Sequence, residues 1–576
     1  MKKTKFLAIL FFAFFVACSG GNSGIDYPDD EGSSGKTDND KESSSDNGNG
    51  ETDDSDTQES GNDNDAENHD GGDDSSDSTN DNGDTDTVSD NDTDPSDSDP
   101  DTENDDDWEE IPDIEPDLGT AVYVDKYNGD DSNNGTMTAP VKTIAKAVQL
   151  SNPLERNLIV LAWGVFDNMP ALKSGVSIFG GYKNQSGTWV EDEELPVIQV
   201  PASAWKLEKL QKITLSKIRI ASKADTDPSG SSIGLILDRC REITLKEIEI
   251  ETADGTNGAD GEDGAKGADG GNGSEGIPGC EDSWVAVLCE TVCKTDLPYG
   301  AAGGISTCGA NGGAGGDAGL ASNPGSSGEN GTGSSSNAGP GGSEKYHSDI
   351  ANECSQTSSG SVNGKNGETG ANGENGIGGK SYGTFAVSGY TTSDGADGTD
   401  GENGQGGGGG GGGRGGTKWC NSYGSSGGGG GAGGCGGKGG KGGNGGGASI
   451  PLMIFSSENI FFESPSFKTG KGGKGGNGGT GGSGGLYGFG GAAGAYSGHK
   501  EQDDGGCGGW GGNGGLGGIG GNGGGGGGGP TICVVNVNST LYNSTTMKCA
   551  KGAAGGGGSS NSNPGETGHS ANIISL

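Results

Sequence analysis

The chain has 576 residues, of which 130 are glycine and only 27% are hydrophobic, and it carries a formal charge of -47. That balance excludes an ordinary globular protein built round one large apolar core. The excess of acid, with no basic patches interleaved with aromatics, also excludes a nucleic-acid-binding surface.

Lys2, Lys3 and Lys5 precede an unbroken apolar run from Phe6 to Ala17. A basic start and a short apolar core ending in small residues describe a secretory signal, too short to span a bilayer as a mature helix. The string Phe15-Val16-Ala17-Cys18-Ser19 resembles the lipobox of bacterial lipoproteins, with Phe15 where that family prefers leucine. The resemblance implies that residues 1–18 are signal and lipobox and that Cys18 is lipidated and becomes the mature N-terminus. It implies export and a lipid anchor in a membrane. Ser19, rather than aspartate, implies the outer membrane, facing the cell exterior.

Residues 19–118 contain about 38 Asp and Glu against two lysines, Lys36 and Lys41, so about -36 of the charge lies there. With almost nothing apolar to bury, this segment is expected to be disordered and swollen by like charges. It would reach roughly 55 Å as a coil and at most about 330 Å drawn out. Its carboxylates lack the spacing and invariant glycine of a calcium loop. The segment reads as an acidic stalk.

Residues 119–253 hold the first folded elements. Thr120 to Val124 reads as a strand, and Val141, Ile144, Ala145 and Val148 fall at helical spacing behind Pro140. Strands are expected at Leu158–Leu161 and Val176–Phe179, each closed by glycine. Tyr123-Val124-Asp125, Gly129-Asp130-Asp131, Asn134-Gly135-Thr136, Ala139-Pro140 and Lys142-Thr143-Ile144 together resemble the opening of a right-handed parallel β-helix of the pectate-lyase-like superfamily, in which the helix caps the coil. Ser177-Ile178-Phe179-Gly180-Gly181-Tyr182, with Trp189 following, is similar to a passage of many exported β-helical proteins. The resemblance covers roughly residues 120–200 and implies a fold rather than an activity, since that superfamily includes lyases, hydrolases and adhesins.

Internal repeats lead to the same fold without the family. Lys212-Ile213-Thr214-Leu215-Ser216-Lys217-Ile218-Arg219-Ile220 recurs as Glu242-Ile243-Thr244-Leu245-Lys246-Glu247-Ile248-Glu249-Ile250. Such coils stack their apolar residues into one core. The stretch 232–255 aligns without a gap on 449–472, pairing Ile233 with Ile450, Leu235 with Leu452, Ile243 with Ile460, Leu245 with Phe462 and Ile250 with Phe467. A looser copy runs from Thr531 through Val534 to Leu541 and Met547, and Ala571 to Leu576 supplies a last strand. The fold class is therefore all-β, a right-handed parallel β-helix interrupted by glycine-rich extended insertions. After 119–253, residues 254–447 form one insertion, 448–470 a coil, 471–529 a second insertion, and 530–576 the last coil and tail.

From Gly255 to Gly279 every third residue is glycine, and later runs double this to Gly-Gly-Xaa, as in Gly472-Gly473-Lys474-Gly475-Gly476-Asn477. Three residues per turn is the period of an extended helix without internal hydrogen bonds, whose backbone groups need partners outside it. Three readings compete: a collagen-like triple helix, flexible glycine-rich disorder, and a bundle of polyglycine-II helices. The last resembles glycine-rich phage adhesin tips and a springtail antifreeze protein. Strict phase and emergence after equivalent coil positions, Gly255 and Gly472, favour the bundle.

Ten cysteines lie in or beside the insertions and are candidates for disulfides of unassigned pairing: Cys280, Cys289, Cys293, Cys308, Cys354, Cys420, Cys435, Cys507, Cys533 and Cys549. Cys240 lies in a coil turn and reads as buried. Cys289 and Cys293 have no second close pair, and the chain has four histidines, which argues against zinc.

No nucleophile elbow, phosphate loop or metal motif is present, and no catalytic residue is nominated. Asp238, Arg239 and Arg241 flank Cys240 as one charged turn, read as a solvated face. His499 and His569 lack the neighbours of polygalacturonase-like sites. Asp125, Asp130 and Asp131 are expected to shape their loop, and calcium is the only cofactor that they leave open. The alignable coils show no cluster of acids and aromatics, which favours a binder over a polysaccharide lyase or hydrolase. The sequence reading is a non-enzymatic surface platform for adhesion, surface structure or glycan binding, with a membrane, a polysaccharide or a surface protein as partners and no nucleic acid.

Overall fold

The computed structural model describes residues 108, 110–167, 169–285, 287–290, 298–339, 362–416, 420–494, 505–542 and 547–576. Cys18, its signal, nearly all of the acidic stalk, Cys293, Cys354 and His499 lie outside them.

The first coils comprise β1 (Val122–Val124), α1 (Ile144–Leu150), β2 (Leu158–Ala162), β3 (Val165–Phe166), β4 (Ser177–Gln185), β5 (Thr188–Glu191), β6 (Val197–Val200), β7 (Ser203–Glu208), β8 (Gln211–Ser216), β9 (Arg219–Ser222), β10 (Ser232–Asp238), β11 (Arg241–Lys246) and β12 (Glu249–Glu251). The first insertion carries six short strands, β13 (Cys280–Glu281), β14 (Ser283–Val285), β15 (Leu288–Glu290), β16 (Thr384–Ala386), β17 (Gly389–Thr391) and β18 (Ser422–Tyr423). The later coils follow as β19 (Ser449–Phe455), β20 (Glu458–Glu463), β21 (Ser466–Lys468), β22 (Thr531–Val537), β23 (Leu541–Tyr542), β24 (Lys548–Ala550) and β25 (Ser570–Ser575).

Three sheets stack along the coils, ordered β7-β10-β19-β22-β25, β1-β2-β4-β8-β11-β20-β23, and β3-β6-β9-β12-β21-β24. Every pairing along these paths is parallel, and only the β4–β5 hairpin departs from it. This is the arrangement of a parallel β-helix. The repeats set the register: Ile213 pairs with Ile243 and Ile243 with Ile460, Leu245 with Phe462, and Ile250 with Phe467. Ile233 pairs with Ile450 and Leu235 with Leu452. The inward residues, among them Ile243, Leu245, Ile250, Phe462 and Phe467, are fully buried in one continuous core.

Two local expectations are corrected. The helix begins at Ile144, with Thr143 as N-cap, and not behind Pro140. The Asp131 carboxylate accepts the Lys142 and Thr143 N–H groups, and Val141 pairs in extended form with Val124; Ala145 is exposed while Ala147 is buried. Strand β4 is not closed by glycine but runs through Gly180 and Gly181 to Gln185. A Cβ at Gly180 would lie 2.2 Å from the Lys217 carbonyl oxygen, so glycine here permits the next coil to approach.

The corners repeat as faithfully as the strands. Lys209, Arg239, Ser456 and Asn538 have φ of 50°, 50°, 44° and 49°, and Lys217, Glu247 and Ser464 have 50°, 45° and 55°. None is glycine, although a left-handed residue costs roughly 1–2 kcal/mol. Each of the first series donates its N–H to the coil above or to the chain end: Lys209 to Asp238, Arg239 to Phe455, Ser456 to Val537 and Asn538 to Leu576. Stacking thus satisfies the groups that the corner turns out of the sheets.

The insertions form a bundle of extended strands, and the flexible and triple-helical readings give way to it. Gly255, Gly258, Gly261 and Gly264 donate to the carbonyls of Lys471, Lys474, Asn477 and Thr480, and the ladder continues every third residue to Gly276 and Ala492. At the centre, three consecutive residues engage six neighbouring strands. Gly429 donates to Ser274 and accepts from Gly491, Gly430 donates to Gly313 and accepts from Gly304, and Gly431 donates to Gly512 and accepts from Gly407. A Cβ would collide with backbone almost everywhere: 1.9 Å from the Gly488 oxygen at Gly431, and 2.0 Å from the Gly407 oxygen at Gly430. Glycine content therefore follows the number of covered faces. The edge strand from residue 255 needs one glycine in three, the strand from 472 needs two, and the enclosed runs 406–413 and 523–529 are glycine throughout.

Candidate functional site

A groove of about 800 Å³ lies along the β-helix, lined by Trp163, Glu191, Asp192, Glu193, Glu194, Lys217, Arg219, Glu247 and Glu249, with Val165, Leu195 and Val197. The β4–β5 hairpin delivers Glu191 and the acids that follow it. The register Arg219↔Glu249 superposes the same turn of two successive coils. Arg219 holds Glu249 with Nη2 at 2.6 Å and Nε at 2.7 Å, and Lys217 stands 3.5 Å from Glu191. Trp163 stacks on Tyr127 with ring centroids 5.5 Å apart, and both are exposed. The sequence reading found no cluster of acids and aromatics on successive coils; folding assembles one. The acids of the β4–β5 hairpin lie outside the alignable repeat, so comparing repeat with repeat did not show them. Chemically the groove offers a partly neutralised acidic wall with an aromatic platform at one end, suited to a neutral or cationic ligand.

The nominated aspartates shape their loop. Asp125 is buried, which works against its ionisation, but bonds from Asn128, Asn184 and the Tyr127 N–H prevail and hold its carboxyl below the usual range. Asp130 accepts the Ser132 N–H, and Asp131 accepts the N–H groups of Lys142 and Thr143 and the Thr143 hydroxyl just ahead of α1. Asp238 is buried at its turn and is paired by Lys206 at 3.2 Å and Arg239 at 3.3 Å, while Arg239 also reaches Glu208 at 2.7 Å. That turn is a charge network rather than a solvated face. Cys240 is buried and unpaired, its thiol donates to the Leu207 carbonyl, and burial pushes its pKa up to about 11. His569 donates its backbone N–H to Ser381 and packs against Tyr382. Among the described residues no group of three or more His, Cys, Asp or Glu could hold a metal ion.

Disulfides join Cys289 to Cys420, Cys308 to Cys435 and Cys533 to Cys549, and Cys280 and Cys507 are also disulfide-bonded. Bonds of this number point to an extracytoplasmic protein. They tie the distal parts of the bundle and the last coil, where few apolar contacts are available.

The surface of the bundle has its own order. Outward N–H groups on the strand from residue 471 have no further strand to meet, and Asp and Asn side chains take that place. Lys471, Lys474, Asn477, Thr480, Leu486 and Phe489 donate to Asp254, Asn257, Asp260, Asp263, Asp269 and Asn272. Trp510, Asn513, Ile519 and Asn522 donate likewise to Asn363, Asn366, Asn372 and Asn375. The signal was present in the sequence as Asp or Asn at a period of three, and only the neighbour it serves was not. On the opposite side Asp397 and Asp400 each accept a glycine N–H and a lysine, Lys441 and Lys438. Those lysines hold both carboxyls below the usual range, and bonds from Thr480 and Lys266 do the same for Asp263 and Asp269.

One face is different. The strands 470–494 and 505–529 lie side by side, joined by Gly511 to Gly491, Gly514 to Gly488 and Gly517 to Gly485. Their outward positions carry Leu486, Phe489, Trp510, Leu516 and Ile519, which are 58%, 59%, 43%, 38% and 52% exposed. No family model, curated protein or solved structure matches the chain.

Proposed function

We propose that the chain is an exported, lipid-anchored surface protein in which the acidic stalk carries a rigid, non-enzymatic platform for binding glycan or a neighbouring surface molecule. The observation that carries this reading is the six-neighbour glycine bundle, which fixes surface side chains at three-residue intervals on a hydrogen-bonded lattice. Such an array suits presentation of a repeating surface better than the chemistry of a single reacting bond. The disulfides support export, and the resemblance of residues 15–19 to a lipobox supports the anchor. Replacing Cys18 by alanine abolishes fatty-acid labelling and detergent-phase partitioning; a variant that partitions like wild type would refute the anchor.

A second reading, a polysaccharide lyase or glycoside hydrolase, is favoured by the acidic groove beside Trp163. The test is exposure of the secreted chain to a panel of neutral and acidic polysaccharides, measuring retention and the release of reducing or unsaturated ends. Retention without new ends supports the platform. New ends that vanish in Glu249→Gln and Glu193→Gln would establish the enzyme.

A further inference from the structure

We infer that the face bearing Leu486, Phe489, Trp510, Leu516 and Ile519 binds an uncharged polysaccharide lying along the bundle. This rests on the glycan-binding reading above and assigns it a place away from the acidic groove.

Large apolar side chains exposed in one contiguous patch mark an interaction surface in a folded protein. Here Leu486 and Phe489 stand on a strand whose earlier outward positions are Lys471, Lys474, Asn477, Thr480 and Ser483, so the bundle does not require apolar residues in this row. Successive outward positions on one strand are three residues apart, about 9 Å at the rise of such a helix. Trp510 to Ile519 therefore extends roughly 28 Å, with Phe489 and Leu486 alongside on the neighbouring strand. Tyr487 packs edge-on against Phe489 and lies between the two rows.

Charge selects the partner. Residues 475–494 and 505–530 contain no charged side chain in a chain that is 20% charged. The borders of the face differ: Asp263 and Asp269, the latter paired by Lys266, stand on the strand beyond 470–494, and the amides of Asn363, Asn366, Asn372 and Asn375 on the strand beyond 505–529. An acidic polymer or an anionic membrane would find no cation on the face and would meet Asp263 at its border. A hydrocarbon surface is disfavoured as well, because Ser483, Asn513 and Asn522 alternate with the apolar rungs and would be buried against it. A chain of neutral pyranose rings presents both features, C–H faces that stack on aromatic rings and hydroxyl edges that meet amides and hydroxyls.

The experiment is sedimentation of the secreted chain with insoluble cellulose and chitin, with analytical ultracentrifugation of the protein alone. Trp510→Ala and Phe489→Ala are exposed substitutions that leave the thermal midpoint unchanged, and Trp163→Ala is the groove control. The proposal expects wild type to pellet with at least one polymer, the two bundle variants to weaken binding by about tenfold or more, and Trp163→Ala to bind as wild type. Loss of binding in Trp163→Ala alone would overturn the assignment to this face and leave glycan binding standing at the groove. Self-association that Trp510→Ala abolishes would make the face an interface between copies and overturn the proposal. Failure of wild type to bind either polymer would overturn this inference, and failure to bind any member of the neutral and acidic panel as well would remove the glycan reading beneath it.

Discussion

The β-helix and the glycine bundle solve one problem in opposite ways. In the β-helix, backbone hydrogen bonds join coil to coil while Ile, Leu and Phe fill the interior, so removal of apolar surface from water supplies the driving force. The bundle has almost no side chains inside. Its interior is backbone, and each strand's N–H and C=O groups reach up to six neighbours. Glycine loses more conformational freedom on folding than any other residue, so this arrangement holds only where close approach makes the hydrogen bonds dense and the disulfides limit the unfolded chain. Glycine serves proximity here and not unusual dihedral angles, since positive φ in the insertions is confined to Gly309, Gly333 and Gly389 among the glycines described.

The contrast is sharpest where one substitution removes packing and another adds a collision. Phe462→Ala empties a fully buried core position against Phe467, with ring centroids 6.0 Å apart, and should cost about 3–5 kcal/mol by thermal or denaturant unfolding. Gly475→Val and Gly476→Val should each cost about 2–4 kcal/mol, because a strand must move and several bonds worth about 1 kcal/mol each are lost. Both glycines face inward: a Cβ would lie 2.0 Å from the Gly526 oxygen at Gly475 and 1.9 Å from the Ala259 oxygen at Gly476. If both valines were tolerated, close packing would not be what holds the bundle.

A smaller effect depends on pH. Asp263, Asp269, Asp397 and Asp400 have folded pKa values below the ordinary 3.8. Their contribution is complete above that value and is lost as the pH falls through the lower folded values. Exchange protection in the bundle, relative to the intrinsic rate, should therefore fall below about pH 4, and the Asp125 loop of the first coil should loosen with it, since that carboxyl is held low as well. Asp397→Ala should cost about 0.5–1 kcal/mol and move the acid transition of the bundle alone. Smallest of all, Lys474→Val places its side chain outward and should change stability by less than about 0.5 kcal/mol. An effect there equal to that at Gly476 would mean that the outward row is not outward.

The sequence by itself determined the coils. A 217-residue offset between Ile243 and Ile460, or Ile250 and Phe467, survived the long insertion between them because inward positions in stacked coils must carry like side chains in like places. It also determined the phase of the glycines, since a residue with no room for Cβ can be nothing else. Only the tertiary structure decided the rest. Lys209, Arg239 and Ser456 adopt left-handed corners that no glycine announces, because their cost is offset by bonds to another coil. The groove joins a hairpin to two coil turns that share no repeat. Each Asp or Asn of the triplets, such as Asp260 for Asn477, serves an N–H that lies 217 residues away. These are relations between distant segments, and local sequence carries one side of each without naming the other.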